Sequence, residues 1–245
     1  MALSETSEIV YERQTKLGLY QVVDRTYSGR PARVLYSGKI RTAQSGIGLD
    51  GNPLMLFGYN QRLIELVNDQ RPKAVLLIGG GVYTLPMEIL DQLTNVQIDV
   101  IEPNDQLIDI ASRYFGFKSD KRLNIYHDYG QNYLKSSRKK YDLIIVDAYN
   151  EDQIPEPMME TGFAKQLGDA LKQKALVAVN IISSMKSDSP LKIITENYHQ
   201  IFKYLKTYPA DTPSPEHYFS HNFILVAAQS NFVLKLKYQP INKSL

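Results

Sequence analysis

The stretch from Lys73 to Glu102 restricts the possible folds of this chain more than any other part of the sequence. An apolar β-type run stops at three consecutive glycines, a short amphipathic segment follows, and a second β-type run ends at Glu102. Strand, glycine turn, helix, strand and acid is the order of a nucleotide-binding βαβ unit. Glycines let a ligand approach the backbone, and the acid can accept hydrogen bonds from ribose hydroxyls. The stretch therefore predicts a nucleoside site at Gly79, Gly80, Gly81 and Glu102.

The dinucleotide-binding fingerprint has a third glycine where this chain has Thr84. Thr84 is suited to cap the helix N-terminus, and Pro86 fits the first helical turn, where its missing N–H is not needed. A glycine turn without the third glycine favours a nucleoside that lacks phosphates, such as an S-adenosyl compound. The alternative interpretation is a tight strand-to-helix turn that binds nothing.

Strand and helix candidates alternate from Ala74 onward, which predicts a doubly wound, mostly parallel α/β sheet of Rossmann-like type for residues 69–245. Helices are predicted over residues 104–115 and 190–206, and residues 221–229 and 231–237 are predicted to pair as closing strands. Residues 1–68 are rich in tyrosine, valine and glycine turns, which predicts a small antiparallel β region with a linking helix over residues 53–67.

Acids follow two later apolar runs of the predicted sheet, at Asp128 and Asp147. The carboxyl ends of parallel strands meet at one edge, where such sheets bind their ligands. We therefore expect the glycine turn, Glu102 and Asp128 to line one cleft, with Asp147 and Tyr149 at its rim.

The composition argues against several other classes of function. Lysine and arginine number 28 against 26 acidic residues, so the net charge of +2 gives no general attraction to nucleic acid. There is no cysteine, the four histidines lack the spacing of metal ligands, and no apolar run has the length of a membrane span. We expect a cytoplasmic protein without a metal and without nucleic-acid or membrane partners.

Seven motifs occur in an order and spacing that resemble the spermidine synthase (polyamine aminopropyltransferase) family, whose fold is shared with class I S-adenosylmethionine-dependent methyltransferases. They span residues 19 to about 155: LYQ, RVLYSGKIRTAQ, FGYNQRL, IGGG, VIEPN, HDYGQNYL and VDAYNEDQIP. The resemblance implies S-adenosylmethionine or its decarboxylated form as a substrate, methylthioadenosine as a related ligand, and an amine as acceptor. It also implies a homodimer or a higher homo-oligomer.

The resemblance implies a role for each matching residue. Glu102 would hold the ribose hydroxyls, Asp128 would meet the adenine amino group, and Gln21 and Gln44 would approach the nucleoside. The segment with Asp147 and Tyr149 would lie over the reaction centre.

Two positions depart from the family pattern. Val82 stands where the family has an aspartate that anchors the amine-bearing chain, and Asn150 stands where it has the proposed general base. An amide cannot accept a proton at neutral pH, so the candidates for the base are Asp147, Glu151 and Asp152. We therefore predict weak or absent transfer to putrescine.

Three functions remain open at this point. They are aminopropyl transfer to an amine, S-adenosylmethionine-dependent methyl transfer, and nucleoside binding or oligomer formation without catalysis.

Overall fold

A computed structural model describes residues 7–27, 29–38, 42–50, 57–149, 153–210 and 221–240. Within these ranges the chain forms a four-stranded sheet followed by a seven-stranded sheet with helices on both faces. No helix in the described ranges combines the length and the apolar character needed to cross a bilayer.

The first sheet is an antiparallel meander, as the sequence predicted. Its strands are β1 (Ser7–Thr15), β2 (Gly18–Tyr27), β3 (Arg30–Ser37) and β4 (Thr42–Gly48). Because side chains alternate across a strand, Val22 and Leu35 join the core shared with the second sheet, while Val23 and Val34 pack on the opposite face.

The second sheet is mostly parallel and runs in the order β10-β11-β9-β8-β5-β6-β7. Five strands are parallel: β5 (Ala74–Ile78), β6 (Gln97–Ile101), β7 (Leu123–Tyr126), β8 (Tyr141–Val146) and β9 (Leu171–Ser183). β10 (Tyr204–Pro209) and β11 (His221–Ala228) close one side as antiparallel strands. The predicted Rossmann-like α/β class is therefore confirmed.

Seven helices are present among the described residues: α1 (Gly58–Gln70), α2 (Thr84–Gln92), α3 (Leu107–Tyr114), α4 (Gly130–Ser136), α5 (Glu156–Met159), α6 (Thr161–Asp169) and α7 (Pro190–His199). The first three share a core with one face of the sheet, and the other four share a core with the opposite face. Because helices cover both faces of the sheet, the central strands are apolar on both faces.

The end of the chain differs from the sequence-based prediction. The helix that begins at Pro190 ends at His199, and β10 takes the place of its predicted last turns. Residues 231–237 were wrongly predicted as a strand. Phe232, Leu234 and Leu236 alternate because they bury one face of an extended segment in the core. Its backbone N–H groups at Lys235 and Lys237 donate to carboxylates of α1 instead of to a strand.

Candidate functional site

The strand order reverses direction at β5, which lies between β6 and β8. A cavity of about 510 Å³ opens at the carboxyl ends of these strands and is also lined by residues of the first sheet. A crevice at such a switch point is where doubly wound sheets bind ligands, and the volume suits a small organic molecule. Seven residues singled out from the sequence line it: Gln44, Gly79, Gly80, Gly81, Glu102, Asp147 and Tyr149.

The glycine turn owes its composition to close approaches of the backbone. Gly79 and Gly81 have φ angles of 98° and 53°, a region in which other residues are strained. A Cβ at Gly79 would collide with the backbone carbonyl of Asp147, and one at Gly81 would lie 2.6 Å from the Ser45 hydroxyl oxygen. Helix α2 begins directly after the turn. Thr84 is its first residue and not its N-cap, because Tyr83 occupies that position.

Glu102 is buried against this turn. One carboxylate oxygen accepts from the N–H groups of Gly80 at 3.0 Å and Gly81 at 3.2 Å, and the other accepts from Asn104 N–H at 2.9 Å. Burial raises the pKa of Glu102, and the three N–H donors oppose that shift. Three donors occupy three of about four lone-pair positions, so the carboxylate is held firmly and keeps capacity for a ligand donor.

Asp147 follows β8 on the other side of the turn. Its backbone N–H donates to the Ile78 carbonyl at 2.8 Å, and its carboxylate accepts from the Asn180 amide at 2.8 Å. Burial raises the pKa of Asp147 to about 6, although hydrogen bonds from Asn180 and Tyr59 oppose the shift. A carboxylate with a pKa near neutrality is suited to accept a proton from a substrate.

Tyr149 and Tyr59 form walls of the cavity beside Asp147. The Tyr149 hydroxyl donates to the Asn180 carbonyl at 2.8 Å and accepts from Ile182 N–H at 2.9 Å. It therefore ties the segment after β8 to strand β9. Burial raises the pKa of Tyr59 and of Tyr149 well above the ordinary value, and the Asp147 charge adds to each shift. Both hydroxyls therefore stay protonated.

Two predicted binding residues do not line the cavity. The Gln21 amide donates to the Glu12 carboxylate. The Asp128 carboxylate accepts from Tyr129 N–H at 2.7 Å and the Asn132 amide at 3.0 Å, at the start of α4. The residues that follow it, Tyr129–Gln131, do reach the cavity.

Of the two positions that depart from the family pattern, the structure describes Val82 and does not describe Asn150. Val82 is fully buried in the core and does not line the cavity, so an aspartate there would be an unpartnered buried carboxylate. Asn150, Glu151 and Asp152 lie outside the described residues.

The sequence-based prediction missed three asparagines that line the cavity: Asn60, Asn180 and Asn222. The sequence contained a signal for one of them: Asn180 is a polar residue inside the apolar run AVNII of β9. Within the described ranges, no group of three or more histidine, aspartate or glutamate residues could hold a metal ion.

Three related proteins are similar to this chain over half or more of its length. The polyamine aminopropyltransferase of Streptococcus pneumoniae serotype 4 is 28% identical over 229 residues, which are 82% of this chain and 78% of the relative. That of Vibrio vulnificus is 27% identical over 127 residues, 51% of this chain and 42% of the relative. Putrescine N-methyltransferase 2 of Nicotiana tabacum is 27% identical over 154 residues, 60% of this chain and 44% of the relative. The chain thus matches less than half the length of the latter two relatives.

Solved structures and a family model agree with the observed architecture. A probable spermidine synthase from Corynebacterium glutamicum superposes with a TM-score of 0.79 at 17% identity, covering 92% of this chain and 82% of that one. A spermidine synthase in complex with the transition-state analogue AdoDATO gives 0.68 at 18% identity, covering 91% and 74%. Both likenesses show the fold. The model of the spermine/spermidine synthase domain matches residues 57–237, so the chain belongs to the spermine/spermidine synthase family.

Proposed function

We propose that this protein binds an S-adenosyl nucleoside in the cavity and transfers an alkyl group from its sulfonium to an amine. The observation that carries the proposal is a pair of carboxylates, Glu102 and Asp147, in one cavity on either side of the glycine turn. Each follows a strand that flanks β5, and two strand spacings put these strands roughly 10 Å apart. One acid can hold a ribose while the other faces the reacting end of the same ligand.

The nucleoside end of the proposal rests on the glycine turn. The three glycines line the cavity, and Glu102 is oriented by three N–H donors to accept from ribose hydroxyls. Gln44 also lines the cavity. In this proposal Asp128 positions the Tyr129–Gln131 segment against the adenine.

The reacting end of the proposal rests on Asp147. The amine lone pair attacks the carbon bound to the sulfonium, the C–N bond forms, and the C–S bond breaks with its electron pair going to sulfur. The attack leaves the newly alkylated nitrogen as an ammonium. This ammonium loses a proton to the Asp147 carboxylate, whose pKa of about 6 suits a general base. Asn180 and the backbone bond to Ile78 keep this carboxylate in place. A displacement of this kind depends chiefly on positioning.

The aminopropyl group of decarboxylated S-adenosylmethionine is the first candidate for the transferred group, because the family model and the polyamine aminopropyltransferases support it. Methyl transfer from S-adenosylmethionine is the second candidate. The likeness to putrescine N-methyltransferase 2 of Nicotiana tabacum favours it, since that relative shows the scaffold in use with a methyl donor.

The test is calorimetry with methylthioadenosine, S-adenosylmethionine and decarboxylated S-adenosylmethionine, followed by mass spectrometry of the products formed with amines. We expect at least one nucleoside to bind and its alkyl group to appear on an amine. Glu88→Ala, on the exposed side of α2, is the matched control for Glu102→Ala. If none of the three compounds binds, the proposal is wrong. Binding without transfer to any amine would leave a nucleoside-binding protein without catalysis.

We also propose a homodimer or a higher homo-oligomer. β1 is an edge strand of the first sheet, and Ile9 on it is 46% exposed. Unpaired edge groups of this kind are open to pairing with a second chain. Light scattering should return at least twice the chain mass of 27.9 kDa, and a monomer at micromolar concentration would refute the assembly.

A further inference from the structure

The hairpin between β1 and β2 carries part of the first sheet to the cavity. Leu17 in its turn and Tyr20 near the start of β2 both line the cavity. Leu17 is 40% exposed and therefore has apolar surface left to bury. Covering such surface with a bound molecule removes it from water, which is favourable. The turn is thus placed to contact a ligand that the second sheet holds.

The Thr15 hydroxyl sets the shape of this turn. It donates to the Gly18 carbonyl at 3.0 Å and accepts from the Leu17 N–H at 3.1 Å. It also accepts from the Asn104 side-chain amide at 3.1 Å, across 89 positions of sequence. One donated and two accepted bonds use the full capacity of a hydroxyl. Thr15 and Asn104 are 7% and 3% exposed, so bulk water does not compete for the bond between them.

Asn104 continues the connection from the turn to the acid of the nucleoside site. Its backbone N–H donates to the Glu102 carboxylate at 2.9 Å. Three consecutive hydrogen bonds of 2.9 to 3.1 Å therefore join the hairpin turn to this carboxylate. Both ends of the series, Leu17 and Glu102, line the cavity.

Two further contacts join β1 to helix α3, but they lie on the strand and not at the turn. Arg13 and Asp109 form an ion pair at 3.5 Å whose side chains are partly exposed, and such pairs contribute little. The rings of Tyr11 and Tyr114 pack with their centroids 5.0 Å apart. The buried bond at Thr15 is the contact that sets the position of the turn itself.

We propose that Thr15 is a positioning residue of the nucleoside site, which acts through Asn104 to hold Leu17 against the nucleoside bound at Glu102. This inference rests on the proposed function and adds the first sheet to its binding site. The second sheet holds the ribose through a carboxylate, and the first sheet covers an apolar face of the nucleoside with a leucine. Because the leucine contact is complete only after the ligand has entered, its loss should act mainly on the dissociation rate.

The experiment measures methylthioadenosine affinity by calorimetry and its dissociation rate by surface plasmon resonance. Leu17→Ala should weaken binding about fivefold, because part of the apolar contact is removed. Dissociation should be faster by a similar factor. Leu49→Ala is the matched control, because Leu49 is 42% exposed and does not line the cavity, and it should leave both quantities unchanged.

The hydroxyl is tested with two substitutions of Thr15. Thr15→Val keeps the shape of the side chain without the hydroxyl and should weaken binding about tenfold. Thr15→Ser keeps the hydroxyl and should lose no more than about twofold. Thr26→Val makes the first change at an exposed position of β2 and should leave the affinity unchanged. Thermal melting shows whether Thr15→Val folds, and Leu17→Ala tests the same contact at an exposed position.

The inference is overturned if Leu17→Ala or a folded Thr15→Val binds methylthioadenosine as tightly as the wild type. It is also overturned if Thr15→Ser loses as much affinity as Thr15→Val, because the hydroxyl would then not be the cause. Failure of the wild type to bind methylthioadenosine or either S-adenosyl compound would instead remove the proposed function, and the inference with it.

Discussion

Two aspartates, the buried Asp99 in β6 and the half-buried Asp147 after β8, have opposite electrostatic environments. Asp99, in β6, accepts from the Asn124 amide at 2.8 Å, the Lys139 ammonium at 2.8 Å and the Tyr141 hydroxyl at 2.7 Å. Burial raises the pKa of Asp99, but these donors outweigh it and the pKa is lowered. At Asp147 burial prevails, and the pKa is raised to about 6.

The difference is the one expected between a structural carboxylate and the general base that the proposed function requires. The donors around Asp99 come from β7, from α4, from β8 and from the segment before β8, so its charge joins four parts of the chain. Asp147 has an amide and a tyrosine as side-chain partners, and it faces the large cavity. An incompletely compensated carboxylate in a cleft has the features of a functional group. Four experiments test this contrast, from the largest expected effect to the smallest.

Asp147→Asn should lower the rate of alkyl transfer by about 10²- to 10⁴-fold, because the amide cannot accept the ammonium proton. Methylthioadenosine binding should change by no more than about threefold, since the ribose contact at Glu102 is untouched. Steady-state kinetics and calorimetry measure the two effects. Asp99→Asn is the matched control, and an equal loss of rate in both variants would contradict the assignment.

Asp99→Ala should lower the free energy of unfolding by about 2–4 kcal/mol, because it removes the carboxylate that accepts from the Lys139 ammonium and from the Tyr133 and Tyr141 hydroxyls. Urea denaturation measures the change. Asp147→Ala removes a carboxylate that burial disfavours and should cost less. The contrast fails if the Asp147 variant is the less stable of the two.

Glu102→Ala should weaken methylthioadenosine binding by roughly 1.5–3 kcal/mol, because it removes a charge-assisted ribose contact. Calorimetry measures the change. The transfer rate at saturating nucleoside should fall less than in Asp147→Asn, because the proton acceptor is retained. Unchanged nucleoside affinity would show that the ribose binds elsewhere.

The pH dependence of stability should have opposite signs at the two aspartates. The folded-state pKa of Asp147 is about 6 against 3.8 for a free side chain, so its contribution to stability is full below pH 3.8 and is lost as the pH rises through about 6. Asp147→Asn should therefore gain on the wild type by about 1–3 kcal/mol between pH 4 and pH 7. Asp99 has a lowered pKa, so its contribution is present above the ordinary carboxyl pKa and is lost on acidification.

Urea denaturation at several pH values, on the wild type and on each asparagine variant, measures both trends. A gain for Asp147→Asn that does not change between pH 4 and pH 7 would show that the carboxylate is not perturbed by burial.

Local patterns made the fold predictable. The apolar runs, the glycine turn and the acid after β6 act within a few residues of one another, and they were sufficient to predict the doubly wound sheet and to single out Glu102. The antiparallel meander followed from turn spacing for the same reason. The end of the chain was mispredicted because the alternation of Phe232, Leu234 and Leu236 indicates a buried face, and a buried face does not require a strand partner.

The sequence by itself determined the sheet, the glycine turn and the acids at its strand ends, because strand and turn preferences depend on neighbouring residues. Only the tertiary structure decided which aspartate is saturated with donors and which is left partly uncompensated beside the cavity, since the donors to Asp99 and Asp147 come from residues 25 to 88 positions away. It also brought Asn60, Asn180 and Asn222 to the lining of one cavity, across more than 160 positions of sequence. Charge compensation and burial depend on those distant partners, and no local pattern carries them.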